Sequence, residues 1–288
     1  MFDPIARTMG MILNFIYNNI VFGNYGLAII IFTLIIKLIL LPLTIKQYSS
    51  TSKMQEVQPQ IQEIQKRYKN DKEKLNQEMM KVYQENKVNP AGGCLPLLIQ
   101  MPILFSLYYV ISQPLKFMIG KSTDQITQLL SKIPSDAVKI AGNADISIIN
   151  YFANHKEELT NLGGLLKPED LLNMNFLGLN LGIQPTFSYN SALGLQYFGL
   201  LLIPILAAIT TFISVKYTTP KQAKGAGNDM SASMTKSMST MMPLMTAFFS
   251  FSVPAGLGLY WIASNIIQIF QQMYLNKFVL KKKEVASK

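Results

Sequence analysis

Lys37 is the only charged residue in the run FTLIIKLILLPLT, residues 32 to 44. A charge among such side chains, in a segment able to lie in a bilayer, costs on the order of 3 kcal/mol unless water or a counter-charge reaches it. No acid is available nearby, because none of the chain's long apolar stretches contains Asp or Glu. Lys46 lies nine positions further on, so on a straight helix rising about 1.5 Å per residue Lys37 sits roughly 13 Å from the cytoplasmic end. Either the side chain snorkels along its own stem, or it faces a hydrated space. Neutral polar residues at helical spacing favour the second reading. Thr33 stands one turn before Lys37. Trp261, Asn265, Gln268 and Gln272 form a stripe on one helix, and Gln100 adds an amide from another. Such amides serve either a wet cavity or hydrogen bonds between helices in a dry bundle. An unpartnered ammonium points to the cavity, and it would attract an acidic group from outside the protein.

Other chemistry finds little support. The chain has one cysteine, Cys94, and one histidine, His155. That leaves no intramolecular disulfide and no cluster for zinc or iron. No glycine-rich phosphate loop occurs. We therefore expect no cofactor and no enzymatic activity. A lipid-modifying enzyme ranks last, because the apolar stretches offer no acid or base pair.

The elements that must position these residues are long apolar helices. The chain has 288 residues, 15% of them charged, with a mean hydropathy of +0.23. A bilayer-crossing helix needs about 20 mostly apolar residues. Five stretches meet or approach this: residues 25–45, 95–113, 197–217, 238–253 and 257–277. The expected fold is an all-α membrane protein with five transmembrane helices.

Residues 1–24 have apolar positions at helical spacing and are expected to form an amphipathic helix, lying in the interface or packed on the end of the bundle. In residues 46–94, Met54, Val57, Ile61, Ile64 and Tyr68, then Leu75, Met79 and Val82, step by threes and fours. That pattern predicts a cytoplasmic helical hairpin turning near Asn70 and Asp71, with Pro59 starting or kinking its first helix. Residues 114–196 form an external loop of short helices. Residues 218–237 read as a flexible cytoplasmic loop, and 278–288 as a basic cytoplasmic tail.

Basic residues set the orientation. Nine fall in 46–94, four in 216–237 and five from Lys277 onward, against Arg7 and six in 114–196. The excess places the N-terminus outside and the C-terminus inside. The net charge of +10 is explained by insertion and calls for no sequence-specific nucleic acid. The outer halves of the spans are apolar, so the cavity is one-sided. A hydrophobic polypeptide segment with a polar tail could enter it from the cytoplasm and leave sideways into lipid. An anion or solute transporter using the lysine is the alternative.

Three segments carry a resemblance: NYGLAIIIFTLIIKLILLPLTIKQYSSTSKMQEVQPQIQEIQKRY, then NKVNPAGGCLPLLIQMPILFSLYYVI, then MMPLMTAFFSFSVPAGLGLYWIASNIIQIFQQ. In this order and spacing they resemble the YidC family of membrane protein insertases. The resemblance implies a five-helix fold with a hydrophilic groove open to cytoplasm and lipid, in a bacterial plasma membrane. It implies nascent membrane proteins as clients, with ribosomes, targeting factors and the Sec translocon as partners. Carried over by position, Lys37 attracts acidic client tails, Thr33 and Trp261 contact the client, and the third and fifth spans act as its slide. This chain departs from the family pattern in having Lys37 where arginine is usual, which keeps the charge and loses the planar fork. Its external loop is also longer, and it lacks the large extracytoplasmic domain of Gram-negative members.

Overall fold

The computed structural model describes residues 3–88, 95–135, 143–187, 193–218 and 230–277. The molecule is mostly helical. Cys94 with the Gly-Gly pair before it, most of the loop expected at 218–237 and the tail at 278–288 lie outside the described residues.

Helix α1 (Asp3–Phe15) is followed by a wide π turn at Ile16–Ile20. The chain then enters α2 (Tyr25–Ile39), where Asn24 caps the first turn by accepting from the Leu27 N–H at 3.0 Å. After Leu40, α3 (Leu41–Arg67) begins, and the axes of α2 and α3 meet at 59°. The straight span expected at 25–45 is therefore broken. Pro42 is the physical cause: it brings no N–H to the carbonyl four residues earlier and its ring crowds that turn. Pro59, by contrast, lies inside α3, and the helix runs through it. Asp71 caps α4 (Lys72–Glu85) by accepting from Lys74 N–H at 3.1 Å. Val57 and Ile61 of α3 bury against Val82 and Val88, with Met54, Ile64, Met79 and Tyr83 around them. This small separate core makes α3 and α4 a packed hairpin.

Three long helices complete the bundle with α2: α5 (Leu95–Ser112), α8 (Gln196–Thr218) and α10 (Ala255–Leu275), joined by α9 (Met230–Ser250). Between α5 and α8 come α6 (Thr123–Leu130), α7 (Ala144–Asn154), two short 3-10 turns and a two-stranded ribbon, β1 (Asn175–Phe176) with β2 (Leu179–Asn180). The ribbon qualifies the all-α expectation. By length and composition, among the described residues, α8 is long and apolar enough to cross a membrane alone, and α2 with the start of α3 qualifies as a bent pair.

α10 is the axis of the structure, packing on α8, α2, α5 and α9. Its first turn is covered by the segment between α5 and α8. Ala255 and Gly256 donate their N–H groups to the carbonyls of Ile183 and Leu181 at 2.9 and 2.8 Å, so helix-end donors that would otherwise lack partners are satisfied. Phe176 lies against Gly26 at the start of α2 and Leu179 against Gly199 near the start of α8. Asn173 N–H donates to the Tyr17 hydroxyl at 2.8 Å. One end of the bundle is thus capped by a packed layer, and the hairpin projects from the other. Helix α1 buries Ala6, Met9, Gly10 and Leu13, while Ile5, Met11, Ile12 and Phe15 stay exposed. It is apolar on two sides and packs on α5 and the turn after it.

The cap layer contains a buried acid. Asp145 in α7 is 3% exposed and accepts from the Lys116 N–H at 3.2 Å, tying α7 to the turn at Leu115–Ile119. Burial pushes its carboxyl up to about 6, against the opposing pull of the Lys116 and Leu115 amides and the Lys116 charge. Because the folded state holds the proton more tightly, this group's stabilising contribution is complete below about pH 4 and is lost as pH rises through about 6. The swing is of order 3 kcal/mol. Thermal unfolding of the protein in detergent between pH 4 and 7 should show this slope, and Asp145→Asn should flatten it.

Candidate functional site

The polar residues of α10 reach three different helices. Asn265 donates to the Thr211 hydroxyl of α8 at 2.8 Å and to Thr210 at 3.3 Å. Gln100 of α5 donates to the Tyr260 hydroxyl at 2.8 Å. Gln268 accepts from the Lys37 ammonium of α2 at 3.1 Å. Each link joins neutral groups or a neutral group to a charge, so the stripe does act between helices, as amides inside an apolar bundle must.

Lys37 is half-buried, and among the described residues no carboxylate forms an ion pair with it; ion pairs join Lys116 to Asp3, Lys121 to Asp170 and Lys167 to Glu169 elsewhere. A lysine ammonium has three donors. Gln268 uses one, and a neutral amide oxygen is a weaker acceptor than a carboxylate. The bend at Leu40 also changes the depth argument: Lys37 stands one turn before a break rather than deep within a straight span.

The other expected site residues are placed as follows. Thr33 is 1% exposed and returns its hydroxyl to the Ile29 carbonyl at 2.6 Å. Its side chain is packed and does not line an open space with Lys37. Trp261 is half-buried against the main core. Gln272 turns away from Lys37 and donates to Asn276 at 3.1 Å, and Tyr48 of α3 bonds to the same Asn276 oxygen. Sequence reasoning missed Gln271, which donates from Nε2 to the backbone carbonyl of Lys37 at 3.2 Å. It lies about 100° round the helix from Gln272 and so off the stripe. No local pattern marks it, because Pro42 frees the Leu38 carbonyl rather than that of Lys37.

Beside these links, α8 exposes Phe198, Leu202, Ile205, Ile209 and Phe212, and α9 exposes Met241, Leu244, Met245 and Phe248. The fifth helix, α10, exposes apolar residues such as Ile266 and Phe270 mainly in its second half. The bare apolar surface thus extends over the fourth long helix as well as the third and fifth.

A protein-family model described as 60Kd inner membrane protein matches residues 15–283. The chain is similar to the protein named membrane protein insertase YidC of Clostridium perfringens, 34% identical, covering 97% of this chain and 93% of that one. The like-named protein of Caldanaerobacter subterraneus is 32% identical over 93% of this chain and 92% of its own length. Against the longer protein of that name from Citrifermentans bemidjiense identity is 30%, and this chain spans 38% of the relative's length.

Proposed function

Because this chain belongs to the YidC family of membrane protein insertases, we propose that it receives hydrophobic nascent polypeptides from the cytoplasm in a one-sided hydrophilic groove. It releases them laterally into the bilayer, alone or with the Sec channel. The chain crosses the bacterial plasma membrane five times, through residues 25–45, 95–113, 197–217, 238–253 and 257–277, with the N-terminus outside, the C-terminus inside and the hairpin in the cytoplasm. Nascent membrane proteins are the clients, ribosomes and targeting factors deliver them at the hairpin, and lipid is the destination.

The observation that carries this reading is the Lys37 ammonium, half-buried, held by a neutral amide and without an acid partner among the described residues. A client carboxylate arriving beside it would gain about 4 kcal/mol at 4 Å in a partly buried setting, before its own desolvation is subtracted. Charge-assisted hydrogen bonding to the remaining donors adds direction. The client's apolar segment meanwhile lies along the exposed faces of α8 and α9, whose methionines adapt to varied side chains. The polar tail then crosses only the part of the membrane that the groove does not hydrate. A membrane potential positive outside moves each anionic charge outward with roughly 2.3 kcal/mol per 100 mV. Gln100, Trp261, Asn265, Gln268 and Thr33 shape the groove wall, Thr33 by packing. No bond is made or broken, so the process is non-enzymatic.

Photo-crosslinking probes at positions 100, 261 and 268 should capture a stalled nascent chain, and one at the exposed Leu195 should not. Liposomes containing only this protein should integrate a small single-span client. Solute flux without client integration would instead support a transporter built on Lys37.

A further inference from the structure

Two hydrogen-bonded contacts from one helix end flank the bend at Leu40. On the α2 side, Gln268 holds the Lys37 ammonium and Gln271 holds the Lys37 carbonyl, at 3.1 and 3.2 Å. On the α3 side, Asn276 bonds to Tyr48 and is itself fixed by Gln272. The four residues involved are three from the last eight of α10 and its C-cap, Asn276. A proline-opened helix has lost the hydrogen bonds that would make it stiff, so its angle depends on what grips it from outside. Here the end of α10 grips both sides of the break, beside the packing of α3 on α5.

We propose that the C-terminal end of α10 is a clamp that sets the α2–α3 angle, with Gln271 as its positioning residue. It aims the Lys37 side chain and the cytoplasmic hairpin together. The lever is long: α3 has 27 residues, about 40 Å at 1.5 Å per residue, so each 10° of change at the bend moves its far end by roughly 7 Å. Without the Gln271 donor the Lys37 backbone is no longer held, and the hairpin samples a wider cone. The consequence for clients rests on the insertase reading; the geometry does not.

The test uses the full chain in nanodiscs with Cys94→Ser and spin labels on cysteines at Lys74, in the hairpin, and Ala153, in the cap layer. Pulsed electron spin resonance gives the distance distribution between them. Gln271→Met keeps the bulk and removes the donor, and Gln271→Glu keeps the shape. Both should broaden the distribution by several Å. Asn276→Leu, at an exposed position, should do the same from the other side without touching the core, while Asn276→Asp, which keeps the acceptor, should not. Distributions unchanged from the parent in Gln271→Met and Asn276→Leu overturn the proposal. In an insertion assay Gln271→Met should lower the ratio of acidic-tailed to neutral-tailed client by about twofold to fivefold, whereas a merely destabilised bundle lowers both alike. If the parent inserts neither client, the insertase reading fails while the distance result still decides the clamp.

Discussion

Lys37→Ala should slow the insertion of a client with an acidic translocated tail by about tenfold to hundredfold and leave a neutral-tailed client within about twofold. Removing one partner of a partly buried charge pair costs on the order of 2 to 5 kcal/mol; the lower end of that range, about thirtyfold, applies because Lys37 is only half-buried. Lys37→Arg keeps the charge and should retain most activity, since nothing in the observed contact needs an ammonium rather than a guanidinium: Gln268 offers a single oxygen at 3.1 Å. Lys37→Glu is the decisive variant. Should it insert acidic-tailed clients as fast as the parent, the electrostatic role of this side chain is wrong. The measurement is the initial rate of protease protection in reconstituted liposomes, with paired clients differing only in tail charge.

Gly10→Leu should destabilise the protein markedly. A Cβ built at Gly10 would sit 2.2 Å from the carbonyl oxygen of Phe117 and 2.6 Å from its carbon. Both atoms are backbone and cannot rotate aside, so α1 must lift from the turn at Leu115–Ile119. Overpacking of this kind costs about 1 to 3 kcal/mol and sometimes more, enough to lower the thermal midpoint in detergent by several degrees. The same lift would expose Leu13 and Met9, now buried. A variant as stable as the parent would mean that α1 does not depend on this contact. Gly258, whose added Cβ would meet a movable Ile203 methyl at 2.4 Å, should be the milder case, because a side chain can yield where backbone cannot.

Much of the interhelical hydrogen-bond network was legible because polarity inside an apolar helix is expensive and therefore conspicuous. Lys37, Gln100, Asn265 and Gln268 stand out against their neighbours on types and spacing alone, and all four are bonded to other helices in the fold. Thr33 makes no link to another helix for a physical reason: its hydroxyl bonds its own helix four residues back, at the Ile29 carbonyl. Gln272 and Gln271 are adjacent in sequence and equal in chemistry. Which of them touches Lys37 depends on how α10 is rotated against α2, and that is a packing outcome. The hairpin core was readable from the apolar steps at 54, 57, 61, 64, 79 and 82, because an amphipathic helix shows its buried face in its period.

By itself, then, the amino-acid order determined the helical character, the apolar segments, the lysine inside the first of them and the amphipathic hairpin, since each depends on local periodicity or on a single residue's type. Only the tertiary structure decided that the first apolar segment bends by 59° at Leu40, that residues after α7 close over the start of α10, and that one helix end grips both sides of the bend. The grip depends on contacts between positions more than 200 residues apart, such as Lys37 with Gln268, and the closure on pairs such as Leu181 with Gly256; no local pattern encodes such partners, and Pro42 marks the site of the bend but not its angle.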